Sequence, residues 1–350
     1  MGDKRHHYLK TMHKNIIFIP PYYEGTSFQD IINGMKWSIA KYKLPISLFG
    51  SLTVKINSSV FGSFDDFKEI EEYLKNLILL SKNIKIEKIL FIDFFSPGLD
   101  VFQYITEIQG RNIKKGSLLH GGSFVPGDLY SWTWLEHAEK LWSNLFDIVY
   151  VPSFYAKSTL PKDFAHSKIF PWGINHLYFS QRKTKRNTIL FPHRLEEDKG
   201  AESFVKLVEC LPNELFVVVN SKNLDDNKYY HLLKKRSNVQ FILGEHGKKH
   251  LNTISKNKIV LSTADQETFG YAVAKSVLSG CIPLLPNSKV YPEYYSDCFL
   301  YNSISEAKNK IEKIIHDSDY CKYLQNKLQP IIENFQTFEF TPLLKDFFDI

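Results

Sequence analysis

Apolar runs of strand length alternate with helix-period segments along most of the chain, and the alternation runs twice. Asn15–Ile19 (NIIFI) has the length and β-branched content of a buried strand. A loop from Pro20 to Ser27 follows, and helical spacing resumes through Ile31, Ile32, Met35 and Ile39. Lys88–Asp93, Ser117–His120 and Asp147–Val151 read as further strands with helix-like stretches between them. Trp134, Ala138, Leu141 and Leu145 share one helical face, which is expected to pack inward. After a polar, basic stretch at Asn175–Asn187, read as a linker, the pattern restarts. Thr188–Phe191, Leu215–Val219, Val239–Leu243, Ile259–Ser262 and Ile282–Leu285 are short apolar strands, separated by helical stretches such as Ala201–Glu209 and Tyr271–Ser279. Such alternation predicts parallel sheets with helices on both faces. The expected fold is α/β: two Rossmann-like doubly wound domains, residues 14–177 and 186–329, then a helical segment, residues 330–350. Ligands of open α/β sheets sit beyond the carboxyl ends of the strands. Two such domains are therefore expected to face a central cleft that suits a two-substrate enzyme.

A length of 350 residues suits two domains of this size. No apolar run approaches the ~20 residues of a membrane span, and residues 1–14 are charged and His-rich without the apolar core of a secretory signal. The four cysteines are scattered, with no metal-binding spacing. These features favour a cytoplasmic protein without a disulfide framework. The net charge of +6 permits an anionic partner without demanding one. The excess gathers at Arg182–Arg186, Lys234–Arg236 and Lys248–Lys249, which as solvated loops need no partner.

Two segments carry chemistry. In the first, a strand at Thr188–Phe191 runs into Pro192-His193-Arg194 and then Lys199-Gly200. Arg grips a diphosphate in a bidentate way, and Lys adds a point charge. The plainer reading is that Arg194 and Lys199 pair with Glu196, Glu197 and Asp198. In the second, Glu267-Thr268-Phe269-Gly270 opens a helix whose free N–H groups suit phosphate oxygens. Glu267 suits sugar hydroxyls, or it simply complements the helix dipole. Asp93 ends a strand, where it either meets a ligand hydroxyl or caps a helix. Tyr130 and Trp132 follow the His120-Gly121-Gly122 loop and offer faces that stack on sugars and bases; Trp134 is expected to pack.

The second half resembles the nucleotide-sugar domain of family-four glycosyltransferases, which have the GT-B fold. The matching segments are Val151-Pro-Ser-Phe-Tyr, Phe170-Pro-Trp-Gly173-Ile-Asn, Leu190-Phe-Pro-His-Arg194 with Lys199-Gly200, Gly244, and Glu267-Thr-Phe-Gly270 through Gly280-Cys-Ile-Pro283. The run Phe269-Gly270…Gly280-Cys281-Ile-Pro283-Leu284…Val290-Tyr291-Pro292-Glu293 is most similar to the tRNA-queuosine mannosyltransferase-like group. In the first half, only Tyr23-Glu-Gly25-Thr-Ser and His120 carry a likeness. The resemblance implies that Arg194 and Lys199 hold the diphosphate of a nucleotide sugar and that Glu267 contacts the transferred hexose. Thr268, Phe269 and Gly270 then shape the pocket, with His120 across the cleft and Gly25 near the acceptor. It also implies retention of anomeric configuration, no metal and no cofactor beyond the sugar donor, and a last helix that returns to the acceptor-side first domain. One position departs from the family: a ribose-binding Glu is usual eight residues after the first, and here it is Lys275. A lysine cannot accept hydrogen bonds from a ribose diol; Ser276 is the nearest substitute. The expected function is hexose transfer to a hydroxyl, on a modified nucleoside of tRNA or DNA or else on a glycan, lipid or small molecule. A nucleotide-sugar epimerase, or a nucleotide-sugar-binding homologue without turnover, would use the same fold.

Overall fold

The computed structural model describes residues 12–20, 27–50, 67–125, 133–162, 164, 166–174, 185–220, 224–245 and 247–350. Gly25, Tyr130, Trp132 and residues 175–184 of the expected linker lie outside the described residues. The chain divides into two units, one reaching to Gly173 and including Glu339–Ile350, the other Ile174–Phe338.

The first unit holds strands β1 (Asn15–Ile19), β2 (Ile46–Gly50), β3 (Lys88–Phe91), β4 (Lys114–Leu118), β5 (Ile148–Val151) and β6 (Ser167–Ile169). They form one sheet in the order β2-β1-β3-β4-β5-β6, parallel throughout. Helices cover both faces of such a sheet, which is why β1 is buried along its whole length and lacks polar alternation. Phe18 packs on Phe91 and Tyr73, and Phe91 and Phe94 pack on Phe146, at ring separations of 5.3–5.6 Å. The last helix, Thr341–Phe348, belongs to this unit and buries Leu343, Leu344, Phe347 and Phe348. Asp346 accepts from the Tyr150 hydroxyl at 2.8 Å, and Lys88 donates to the Phe348 carbonyl at 2.7 Å. Gly173 has no Cβ where the backbone of Glu339 and Phe340 passes, 2.6–2.8 Å from the space one would fill.

The helix Thr133–Leu145 corrects the expected inward face. Trp134 and Leu141 are about half exposed, whereas Leu135, Glu139 and Trp142 are buried. Ala138 and Leu145 of the expected face do pack on the core, but the buried face is centred on the Glu139 carboxylate, which hydrophobic spacing alone does not pick out. Glu139 is tolerated there because its Oε2 accepts from the Ser123 amide at 3.0 Å and from the Ser123 hydroxyl.

The second unit holds β7 (Arg186–Phe191), β8 (Leu215–Asn220), β9 (Val239–Leu243), β10 (Asn257–Leu261), β11 (Ile282–Pro286) and β12 (Leu300–Tyr301). Their order is β12-β11-β10-β7-β8-β9, again all parallel. From β7 the chain winds outward to β8 and β9. It then returns to β10 on the other side and winds outward to β11 and β12. The central pair β7 and β10, with Ile189 opposite Ile259, is therefore the point where the winding reverses. Lys185 is not part of a solvated basic loop: its amine donates to the carbonyls of Ser255 and Ser279, capping two helix ends. Among the described residues no helix is long and apolar enough to cross a membrane.

Candidate active site

Both chemically marked segments of the second half leave the sheet at this reversal, one from β7 and one from β10. A doubly wound sheet opens its ligand crevice at that position. After β7 the chain passes His193 and Arg194, makes a 3-10 turn at Glu197–Lys199, and enters the helix Ala201–Cys210 through Gly200. After β10 it passes Ser262 to Gly270 and enters the helix Tyr271–Leu278.

The two loops are locked to each other. The Asp198 carbonyl accepts from the amides of Asp265 and Gln266 at 3.1 and 3.0 Å. The Thr263 hydroxyl is 3.0 and 2.9 Å from the carbonyls of Lys199 and Gly200. Gly200 has φ +63°, and a Cβ there would overlap the Thr263 carbonyl. Glycine meets the backbone conformation and the close approach together. Beneath the β10 loop, Ser262 Oγ and the buried Tyr291 hydroxyl are 2.7 Å apart, and Tyr301 donates to the Ser262 carbonyl at 2.7 Å.

This lock brings Arg194, Lys199 and Glu267 together. Arg194 donates to Glu196 and, at 3.0 Å, to Asp198 Oδ2. The Lys199 amine lies 2.8 Å from the Gln266 carbonyl, 3.3 Å from Asp198 Oδ2 and 3.5 Å from Glu267 Oε2. The pairing expected as the plainer reading is thus present for Glu196 and Asp198, while Glu197 pairs with Lys228 instead. Burial favours the neutral amine of Lys199, but Glu267 and Asp198 outweigh it and hold the lysine protonated more firmly than usual. Burial likewise pushes Glu267 up. Lys199, the His193 ring and the Gly270 amide prevail, and the carboxyl ends below its ordinary range. The site therefore holds an ammonium and a carboxylate that are both largely buried and both charged at neutral pH.

Thr268 is half-buried at the helix start, and Gly270 has φ +80°. Phe269 is 3% exposed and packs on Tyr271, Tyr294 and Phe338, so its ring supports the loop from below. Lys275 is half-buried on the helix Tyr271–Leu278. Ser276 is fully buried and donates to the Ala272 carbonyl at 2.8 Å, so it is no substitute for a ligand-binding carboxylate. Sequence reasoning left His193 without a role. It is buried, and the charges of Glu267, Lys199 and Arg194 act on its ring.

In the first unit His120 follows β4. Its Nε2 is 2.9 Å from the Ile92 carbonyl, which can only accept, so Nε2 carries the hydrogen. The ring packs on Phe28 and Trp172, and burial lowers its pKa to about 4. Asp93 follows β3. Its Oδ1 accepts from the Phe95 amide at 3.3 Å, and burial raises its pKa to about 7 against that bond, with Glu139 adding to the rise. Among the described residues no group of three His, Cys, Asp or Glu side chains is arranged to hold a metal ion.

Residues 177–329 match the family model for glycosyl transferases group 1. The tRNA-queuosine alpha-mannosyltransferase of Drosophila melanogaster is 30% identical over 130 residues, which are 35% of this chain and 34% of that protein. The chain thus spans about a third of the length of the curated relative it matches. Among solved structures, sucrose-phosphate synthase of Thermosynechococcus elongatus superposes with a TM-score of 0.75 at 11% identity, covering 96% of this chain and 98% of that one. The Anabaena protein HepE, solved with UDP and glucose, gives 0.68 at 14% identity over 96% and 99%. A Rickettsia africae glycosyltransferase gives 0.68 at 16% over 97% of each. Residues 177–329 thus match the glycosyl transferases group 1 model, in a chain whose two six-stranded parallel sheets are those of the GT-B glycosyltransferase fold.

Proposed function

We propose that this chain is a retaining, metal-independent glycosyltransferase that moves a hexose from a nucleotide diphosphate sugar to an acceptor hydroxyl. The observation that carries the reading is the meeting of Arg194, Lys199 and Glu267 where the winding of the second sheet reverses. The diphosphate takes the place of carboxylates around Arg194, and the Lys199 ammonium receives its developing charge. Glu267 accepts from hydroxyls of the hexose, and Lys275 sits toward the ribose. His120 is assigned to the acceptor-side unit's share of catalysis. Its Nε2 hydrogen is held by the Ile92 carbonyl, which fixes the neutral ring in place. With two cations at the diphosphate, leaving-group charge is neutralised without a divalent ion, and turnover is expected to persist in excess chelator.

For the acceptor we propose a modified nucleoside in tRNA or DNA. The Drosophila relative is named for a tRNA nucleoside, and the chain is net basic. The second reading, a glycan, lipid or small-molecule acceptor, is favoured by how the basic clusters are spent: Lys185 caps helix ends, Arg236 pairs with Glu209, and Lys249 pairs with Glu245. Incorporation of labelled hexose into tRNA, DNA, oligosaccharide and lipid, with binding measured at two salt concentrations, separates them. A nucleic-acid acceptor requires binding that weakens steeply with salt. Salt-independent transfer to a saccharide or lipid establishes the second reading.

A further inference from the structure

We propose that His193 is a third side chain in the grip on the nucleotide diphosphate, donating a hydrogen bond from Nε2 to a phosphoryl oxygen held beside Arg194 and Lys199. The proposal rests on the sugar-donor reading above and adds a residue to it. His193 is the second residue beyond β7 and only 5% exposed. Its ring stands edge-on to Phe191 at 5.3 Å, which fixes it from the sheet side. Its Nε2 is buried and has no hydrogen-bond partner among the described residues. The cations around it are matched, Arg194 to Glu196 and Asp198 Oδ2 and Lys199 to the Gln266 carbonyl, while Asp198 Oδ1 in the same loop is likewise buried without a hydrogen-bond partner among the described residues. A buried nitrogen left unmatched costs about 1–3 kcal/mol, so such groups have partners in the working state of a protein.

The charges acting on the ring indicate what that partner is. They are Glu267, Lys199 and Arg194, the groups assigned to the sugar donor. Burial keeps the imidazole neutral, with one N–H and one lone pair. In the tautomer with its hydrogen on Nε2, a phosphoryl oxygen accepts from that N–H, and its negative charge is already favoured by the two cations.

The test is calorimetric titration of GDP and of UDP, each with and without an attached hexose, into the full chain. His193→Phe keeps the ring packing on Phe191 and removes the N–H; His193→Gln keeps an N–H donor of similar reach. Loss of a hydrogen bond to a charged group predicts at least tenfold weaker diphosphate binding for the Phe variant. The loss should be equal with and without the hexose and largely restored in the Gln variant. In the parent, the ring-nitrogen NMR signals of His193 should shift on saturation with the diphosphate. Parent-like affinity in the Phe variant, a loss confined to the hexose-bearing ligands, or unmoved ring signals overturns the assignment while Arg194→Ala still weakens binding. If the parent itself binds neither diphosphate, the donor reading falls and His193 with it.

Discussion

The substitution Gly200→Ala tests whether the two loops of the site form one locked unit. Two costs fall on it. The backbone sits at φ +63°, where an L side chain costs about 1–2 kcal/mol. The new Cβ would also land on the Thr263 carbonyl, 2.7 Å from its carbon. That contact is with backbone held by the Asp198–Gln266 and Thr263 hydrogen bonds, so it cannot swing away, and overpacking of this kind adds about 1–3 kcal/mol. Gly244 supplies the control: its φ is +70° but nothing lies within 4 Å of its would-be Cβ, so Gly244→Ala bears only the first cost. All five tryptophans lie at or before residue 172, so their fluorescence reports the first unit and is blind to this change. Hydrogen exchange read by mass spectrometry resolves the second unit. Peptides from residues 186–210 and 257–285 should lose about 2–5 kcal/mol of protection in Gly200→Ala and about 1–2 kcal/mol in Gly244→Ala. Equal losses in the two variants would refute the lock.

In the first unit, unfolding between pH 4 and 6.5 adds a proton to His120, whose folded pKa is about 4, and removes one from Asp93, whose folded pKa is about 7. These two nearly cancel, so Asp93→Asn should leave His120 uncompensated. Tryptophan-detected stability should then fall as pH drops from 6.5 toward 4, by up to about 1.4 kcal/mol per unit more than in the parent; parallel profiles would contradict this. Lys275→Glu supplies two ribose acceptors and should tighten binding of UDP and GDP relative to their 2′-deoxy analogues, with little change in hydrogen-exchange protection. Unchanged discrimination between ribose and deoxyribose removes Lys275 from the ribose end of the donor.

Much of the fold was legible because strands buried on both faces must be apolar through their middle, as Ile16–Ile19 and Phe216–Val219 are. Strand β4 was legible only at its end, since it opens with Lys114 and Lys115. Lys115 is buried by turning its amine onto the Ile113 carbonyl, a bond no periodicity announces. The inward face of Thr133–Leu145 was only half legible for the same reason, because Glu139 is accommodated there by hydrogen bonds from Ser123. At the site, Arg194, Lys199 and Glu267 were visible as charges at strand ends. Their order of pairing was not, because Glu267 is 68 residues from Lys199 and reaches it only through the adjacency of β7 and β10. His193 was invisible as a site residue: a histidine after a strand acquires meaning only when its ring nitrogen is found buried and unmatched.

The measurement closest to the central claim is calorimetric titration of UDP- and GDP-hexoses into the parent, Arg194→Ala and Lys199→Ala. Each cation lost from a charged contact should weaken binding of the preferred sugar nucleotide by about 1.5–3 kcal/mol, roughly ten- to 150-fold. Parent-like affinity in both variants would contradict the claim that this pair holds the diphosphate.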